Sequence, residues 1–196
     1  MFIQVIKAQT SRPAEVKALA ESWRDGDGSG AIGWLGGTFG VTDDGVFLGV
    51  VRFSSRDDAM ANSERPETGE FAAKMGALMD GPPEFYDCDD VTTFLDGGSD
   101  DAGFVQVIAG HLDDPAPARA LASDTGDLRE MRPEIIGGSL AIAADGTFFQ
   151  TVYFTDEDSA RKGEQIEPPE DVRRVLETMM AGATFYDLRE PWFESP

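Results

Sequence analysis

Several polar side chains stand at alternating positions in segments that are otherwise apolar. They are Gln4 in FIQVI, Gln106 in FVQVI, Thr38 and Arg52 in GWLGGTFGVTDDGVFLGVVRF, and Ser139 and Tyr153 in EIIGGSLAIAADGTFFQTVYF. All can hydrogen-bond, and Arg52 alone among them carries a fixed charge. Residues of these types suit a small, partly aromatic ligand bearing an acceptor or a negative charge. Arg52 and the two glutamines would hold its polar end, and Trp34, Phe149 and Tyr153 would flank it. The plainer account is that these groups satisfy one another or trapped water, with Arg52 reaching Asp87 or the rim of its sheet.

Other chemistry finds less support. His111 is the sole histidine and precedes Leu112-Asp113-Asp114, a strand-to-loop position that reads as an ordinary exposed imidazole. Ser, His and Asp are all present, but no GxSxG elbow accompanies them. The acidic pairs Asp43-Asp44, Asp57-Asp58, Asp89-Asp90 and Asp113-Asp114 lie at turns and lack calcium-loop spacing, so they read as solvated turn residues. The single cysteine, Cys88, allows neither an intrachain disulfide nor a thiolate metal cluster. No metal and no cofactor are expected.

The formal charge is −21, from 37 acidic against 16 basic residues, which repels phosphate backbones and anionic membrane surfaces. Neither nucleic acid nor a membrane is an expected partner. An apolar content of 41% over 196 residues is that of a globular chain able to bury real cores. The start, MFIQVIKAQTSRP, lacks the basic and long apolar regions of a signal peptide. No stretch runs to about 18 apolar residues. Together with the cysteine count, this places the protein in the cytoplasm.

The elements that must position the polar set are written twice. Gly33–Phe53 recurs, altered, as Glu134–Phe154: an apolar run, a turn at Asp44-Gly45 or Asp145-Gly146, and a second apolar run, the pattern of a β-hairpin. The offset is constant, since 146 − 45 and 154 − 53 both give 101. Phe2–Ala8 and Phe104–Ala109 alternate as strands. Pro13–Arg24 carries Val16, Leu19, Ala20 and Trp23 at helical spacing and is ended by the gap Asp25–Ala31. Pro115–Arg129 is its less regular counterpart. Ser54–Ser63 and Thr155–Gly163 read as a turn and short helix. Longer helices at about 67–79 and 170–180 follow, with Gly81 and Gly182 where C-terminal caps belong. Phe85-Tyr86-Asp87 and Phe185-Tyr186-Asp187 open last strands, with tails ending in Val91–Leu95 and Trp192-Phe193.

Each half therefore has βαββαβ order, an α+β ferredoxin-like unit whose antiparallel sheet carries its helices on one face. Residues 1–95 and 104–196 form the two tandem repeats, joined by the polar linker 96–103, DGGSDDAG. A single such sheet leaves one apolar face bare, so the duplication predicts that the two sheets pack face to face within the chain. The order of elements, the segment SSRDDAMANSERPETGEF after the hairpin, and the tandem copy together resemble the dimeric α+β barrel superfamily, in particular its antibiotic-biosynthesis monooxygenase-like domains fused as a pseudo-dimer. That resemblance implies a barrel interior between the sheets, a monomer that supplies its own partner with scope for further self-association, and a cavity mouth near Asn62, Ser63 and Arg65. It also implies that haem-binding relatives carry their ligand histidine on a helix, which His111 does not match.

Alternation sorts the two faces of each sheet. Ile3, Val5, Val105 and Val107 are purely apolar and are assigned to the helix side, with Leu35, Phe39, Phe47, Val51, Phe53 and their counterparts Ile136, Leu140, Phe148, Val152, Phe154. Phe2, Gln4, Ile6, Phe104, Gln106 and Ile108, with Trp34, Thr38, Leu48, Val50, Arg52, Ile135, Ser139, Phe149, Thr151 and Tyr153 of the hairpins, are then expected on the opposite face. Of these, Gln4, Trp34, Thr38, Arg52, Gln106, Ser139, Phe149 and Tyr153 are the candidate ligand-binding residues. No catalytic group stands out. The expected function is a small-ligand-binding or scaffold protein, and the alternative is a cofactor-independent monooxygenase-like enzyme acting on a small aromatic or polyketide-like substrate.

Overall fold

The computed structural model describes residues 1–25, 30–126 and 128–196. Most of the glycine-rich gap 25–31 therefore lies outside the described residues, as does Asp127 within the expected helix 115–129. The first half runs β1 (Phe2–Gln9), α1 (Pro13–Asp25), β2 (Trp34–Val41), β3 (Val46–Phe53), α2 (Arg56–Ser63), α3 (Pro66–Gly76), β4 (Glu84–Cys88), β5 (Asp90–Phe94). The second runs β6 (Phe104–His111), α4 (Ala116–Ser123), α5 (Leu128–Met131), β7 (Ile135–Ile142), β8 (Thr147–Phe154), α6 (Glu157–Gly163), α7 (Glu170–Met180), β9 (Thr184–Leu188), β10 (Trp192–Glu194).

The two hairpins close in the same way. Gly45 N–H bonds to Thr42 O at 2.9 Å and Thr42 N–H to Val46 O at 2.9 Å. Gly146 and Ala143 repeat this at 3.0 and 2.8 Å. Gly45 and Gly146 sit at φ 84° and 88°, left-handed values that glycine adopts without strain, and the result is a turn followed by a bulge. The helix α7 has the bounds expected and is followed by Gly182 at φ 74°. The helix α3 stops earlier than expected, at Gly76 with Ala77 as its cap, so Gly81 caps nothing. Short helices α2 and α6 are each capped by the side chain before them: Ser55 accepts from Asp58 N–H at 3.1 Å and Asp156 from Ser159 N–H at 2.7 Å.

Two five-stranded antiparallel sheets result, ordered β10-β2-β3-β1-β4 and β5-β7-β8-β6-β9. The compact units are Met1–Asp89 with Trp192–Pro196, and Asp90–Pro191. Each repeat's last strand thus completes the other repeat's sheet: Phe39 pairs with Trp192, and Leu140 with Thr92. In the first unit Ala8, Phe47 and Trp192 pack against Val16 and Ala20 of α1, and Phe2 and Phe53 against Ala59 of α2. In the second, Phe104, Leu140, Phe148, Val152 and Phe154 pack with Ala118 of α4, Ala160 of α6 and Met179 of α7. These clusters define the helix-covered face of each sheet.

That definition corrects the expected faces. Cross-strand partners share a face, and Phe2, Gln4, Ile6 and Ala8 lie opposite Phe53, Val51, Gly49 and Phe47, so they are on the helix side. Ile3 and Val5, each 0% exposed, are on the other face. The same inversion applies in β6, where Gln106 pairs with Val152, and Val105 pairs with Tyr153. Apolarity misled because both faces of these strands are buried, and a wholly apolar pair then says nothing about direction. A bulge between Trp34 and Gly36 also turns Trp34 toward Phe2 and Phe53 and leaves Leu35 exposed. Its copy between Ile135 and Gly137 does the same for Ile135.

Candidate ligand-binding faces

Of the eight candidate residues, Thr38, Arg52, Ser139, Phe149 and Tyr153 stand on helix-free faces, and Gln4, Gln106 and Trp34 do not. Gln4 donates to Asp87 at 2.9 Å, and Asp87 also meets Arg56 of α2 at 3.4 Å. Gln106 donates to Asp187 at 2.9 Å, and Asp187 accepts from Arg161 of α6. The guanidinium carbons of Arg56 and Arg161 lie 5.4 and 5.3 Å from the ring centres of Phe2 and Phe104. In both halves these glutamines fasten the short helix after the hairpin to the repeat's first strand and to the strand beside it, β4 or β9. They serve the fold.

On the helix-free face of the first sheet, Arg52 Nη1 donates to Thr38 Oγ1 at 3.0 Å across the β2–β3 hairpin. Thr38 is fully buried and Arg52 partly so. Between this pair and the far end of the sheet lie buried Ile3, Val5, Leu48, Val50 and Cys88. At that far end is a cluster that sequence reasoning missed. Lys7 Nζ lies 3.2 Å from Glu84 and 5.8 Å from the Tyr86 ring centre, and Tyr86 donates its hydroxyl to Glu84. That hydrogen bond holds Glu84 below the usual carboxylate range and Tyr86 above the usual phenol range. The signal was available in the alternation Glu84, Tyr86, Cys88, but the inverted reading of β1 had put Lys7 on the other side.

On the helix-free face of the second sheet, Ser139 pairs with Thr151, and Phe149 and Tyr153 stand on either side of Thr151 along β8. All four are at most 4% exposed. The Thr151 hydroxyl is buried without a hydrogen-bond partner among the described residues. Among the positions of the first half that change here, Arg52 becomes Tyr153, Val50 becomes Thr151, Leu48 becomes Phe149 and Lys7 becomes Ala109.

The remaining residues singled out in the sequence have structural surroundings. Asn62 accepts from Arg65 at 3.2 Å, and Ser63 donates to Ala59 O at 3.0 Å. Gly163, the counterpart of Asn62, leaves no room for a Cβ beside Arg132 and Glu134. His111 ends β6 with an exposed side chain 3.5 Å from Asp113, and Cys88 is buried in β4. Among the described residues no group of three or more His, Cys, Asp or Glu side chains is arranged to hold a metal ion, and no helix is long and apolar enough to cross a membrane.

No described family matches the sequence, and no curated protein matches it. Solved structures do match its fold along nearly the whole chain. A candidate monooxygenase from Fusobacterium nucleatum subsp. nucleatum superposes with a TM-score of 0.68 at 12% identity, covering 99% of this chain and 94% of that one. An anthrone oxidase-like protein gives 0.63 at 11%, covering 99% and 89%. A ferredoxin fold protein related to antibiotic biosynthesis monooxygenases, from Listeria monocytogenes, gives 0.54 at 11%, covering 100% and 95%. The chain has the ferredoxin-like α+β fold of these proteins, written twice in tandem.

Proposed function

We propose that this protein binds a small, partly aromatic ligand carrying an acceptor or a negative charge, on the helix-free side of its sheets. The observation that supports this most directly is the Arg52–Thr38 pair, a guanidinium hydrogen-bonded at 3.0 Å to a fully buried hydroxyl, with buried Ile3, Val5, Leu48 and Val50 on the same face between it and the Lys7–Glu84–Tyr86 cluster. A guanidinium presents donors in the geometry that carboxylate and carbonyl groups accept. The second reading, a cofactor-independent monooxygenase-like enzyme, is suggested by the names of the structural neighbours. Acid–base chemistry is most effective from a group that titrates near the working pH. On the first sheet's helix-free face the resolved shifts run the opposite way, Glu84 downward and Tyr86 upward. Binding is therefore the better-supported reading.

A thermal-shift screen of the full chain against aromatic acids and ketones tests it, with Arg52→Ala as control. A ligand that raises Tm in the wild type and loses that effect in Arg52→Ala supports the site. A hit unaffected by the substitution removes Arg52 from it, and oxygen uptake with any hit would restore the enzymatic reading.

A further inference from the structure

The two helix-free faces differ in charge. The first carries Lys7, Arg52 and Glu84, whereas the strand positions on the second hold no lysine, arginine or carboxylate. At its centre is Thr151, 1% exposed, with a hydroxyl that has no partner among the described residues. A buried hydroxyl left unpaired is unfavourable, and the counterpart in the other half, Val50, is the same shape without it. The hydroxyl is therefore dispensable to the fold, as its own duplicate shows. Phe149 and Tyr153, 2% and 1% exposed, place aromatic rings on either side of it along the strand.

We infer that Thr151 anchors a subsite for uncharged aromatic carbonyl compounds, its hydroxyl donating to the carbonyl oxygen while Phe149 and Tyr153 contact the ring system. The inference rests on the ligand-binding reading above and assigns it a polar anchor other than Arg52. A carboxylate is disfavoured here, because desolvating it on a face without a cation is costly. A ketone needs only the one donor that Thr151 offers.

The test uses the full chain and three probes of one ring system: 1-acetonaphthone, 1-ethylnaphthalene, which lacks the carbonyl, and 1-naphthoate, followed by calorimetric titration. Wild type should bind 1-acetonaphthone about tenfold more tightly than 1-ethylnaphthalene, the scale of one net hydrogen bond. Thr151→Val should abolish that preference and leave 1-ethylnaphthalene binding unchanged, and Thr151→Ser should retain it. Without ligand, Thr151→Val should raise Tm, since it removes an unpaired buried hydroxyl. Binding of the ketone that Thr151→Val does not weaken overturns the anchor, as does a lowered Tm. Weakening of 1-naphthoate by the same substitution overturns the uncharged class. If wild type binds none of the probes, the ligand-binding reading itself fails for this chemistry, and the subsite fails with it.

Discussion

Gln106 donates its side-chain amide to Asp187 at 2.9 Å, on the sheet face that the helices cover. Gln106 is 6% exposed, and Asp187 is shared with Arg161 and with Arg189 at 3.5 Å. Replacing Gln106 by Leu removes one donor from a partly buried carboxylate that retains two guanidinium partners. We expect a loss of about 1–2 kcal/mol in urea unfolding, with no change in affinity for any ligand that raises Tm. Reduced affinity at unchanged stability would return Gln106 to the site.

Trp192 connects the end of the chain to the first unit. Its indole is 7% exposed and lies 6.3 and 6.4 Å, centre to centre, from Phe39 and Phe47, with Lys17 Nζ 6.0 Å from its ring centre. Trp192→Ala should cost about 3–5 kcal/mol, the usual range for a buried aromatic truncated to alanine. Hydrogen exchange should locate the effect: amides of β2 and β3 should lose protection before those of β7 and β8, although the substituted residue belongs to the second repeat in sequence.

Glycines in the two settings should respond in opposite directions. A Cβ on Gly137 would overlap the carbonyl oxygen of Gly97, a backbone atom that no side-chain rotation can move. Gly137→Ala should therefore destabilise by about 1–3 kcal/mol. Gly69 lies inside α3 with open space around its Cα, and Gly69→Ala should stabilise by about 0.5–1 kcal/mol through helix propensity. Thermal unfolding of the two variants reports both signs.

Acid should weaken the fold through its turn and cap carboxylates. Hydrogen bonds hold Asp58, Asp145 and Asp156 below the usual aspartate range: Ser54 and Ser55 for the first, Thr147 for the second, Ser159 for the third. A pKa lowered in the folded state means that the unfolded chain binds more protons in the window between the two values, so stability rises with pH there. The contribution is complete above the ordinary aspartate value of about 4 and is lost as pH falls through the folded value. Asp156→Asn and Asp145→Asn should each flatten the fall of Tm below about pH 4 relative to wild type. A slope unchanged in both would remove these groups from the acid response.

Most helices, the hairpins and their duplication were legible in the sequence because they depend on local chemistry, whereas the expected helix 115–129 is two, α4 ending at Ser123 and α5 beginning at Leu128. Gly45 and Gly146 favour the same left-handed turn, Ser55 and Asp156 cap the helices that follow them, and the apolar positions of α7 recur at helical spacing. The polar candidates were only partly placed, since Arg52, Thr38, Ser139, Phe149 and Tyr153 lie on hairpins whose polar and apolar positions alternate visibly. Gln4, Gln106 and Trp34 were not placed correctly. In β1 and β6 both faces are buried, so alternation carries no direction until pairing with β3 and β8 supplies it, and a one-residue bulge at Leu35 reverses the faces before it. The exchange of β5 and β10 was likewise beyond the sequence. A short strand ending a repeat can complete either sheet equally well by local preference, and which sheet it joins is decided by packing: Trp192 over Phe39 and Phe47, and Phe94 over Gly138, where any side chain would collide with its ring. The sequence by itself determined the elements and their repetition. Tertiary structure alone decided which face each polar group occupies, because that depends on partners distant along the chain.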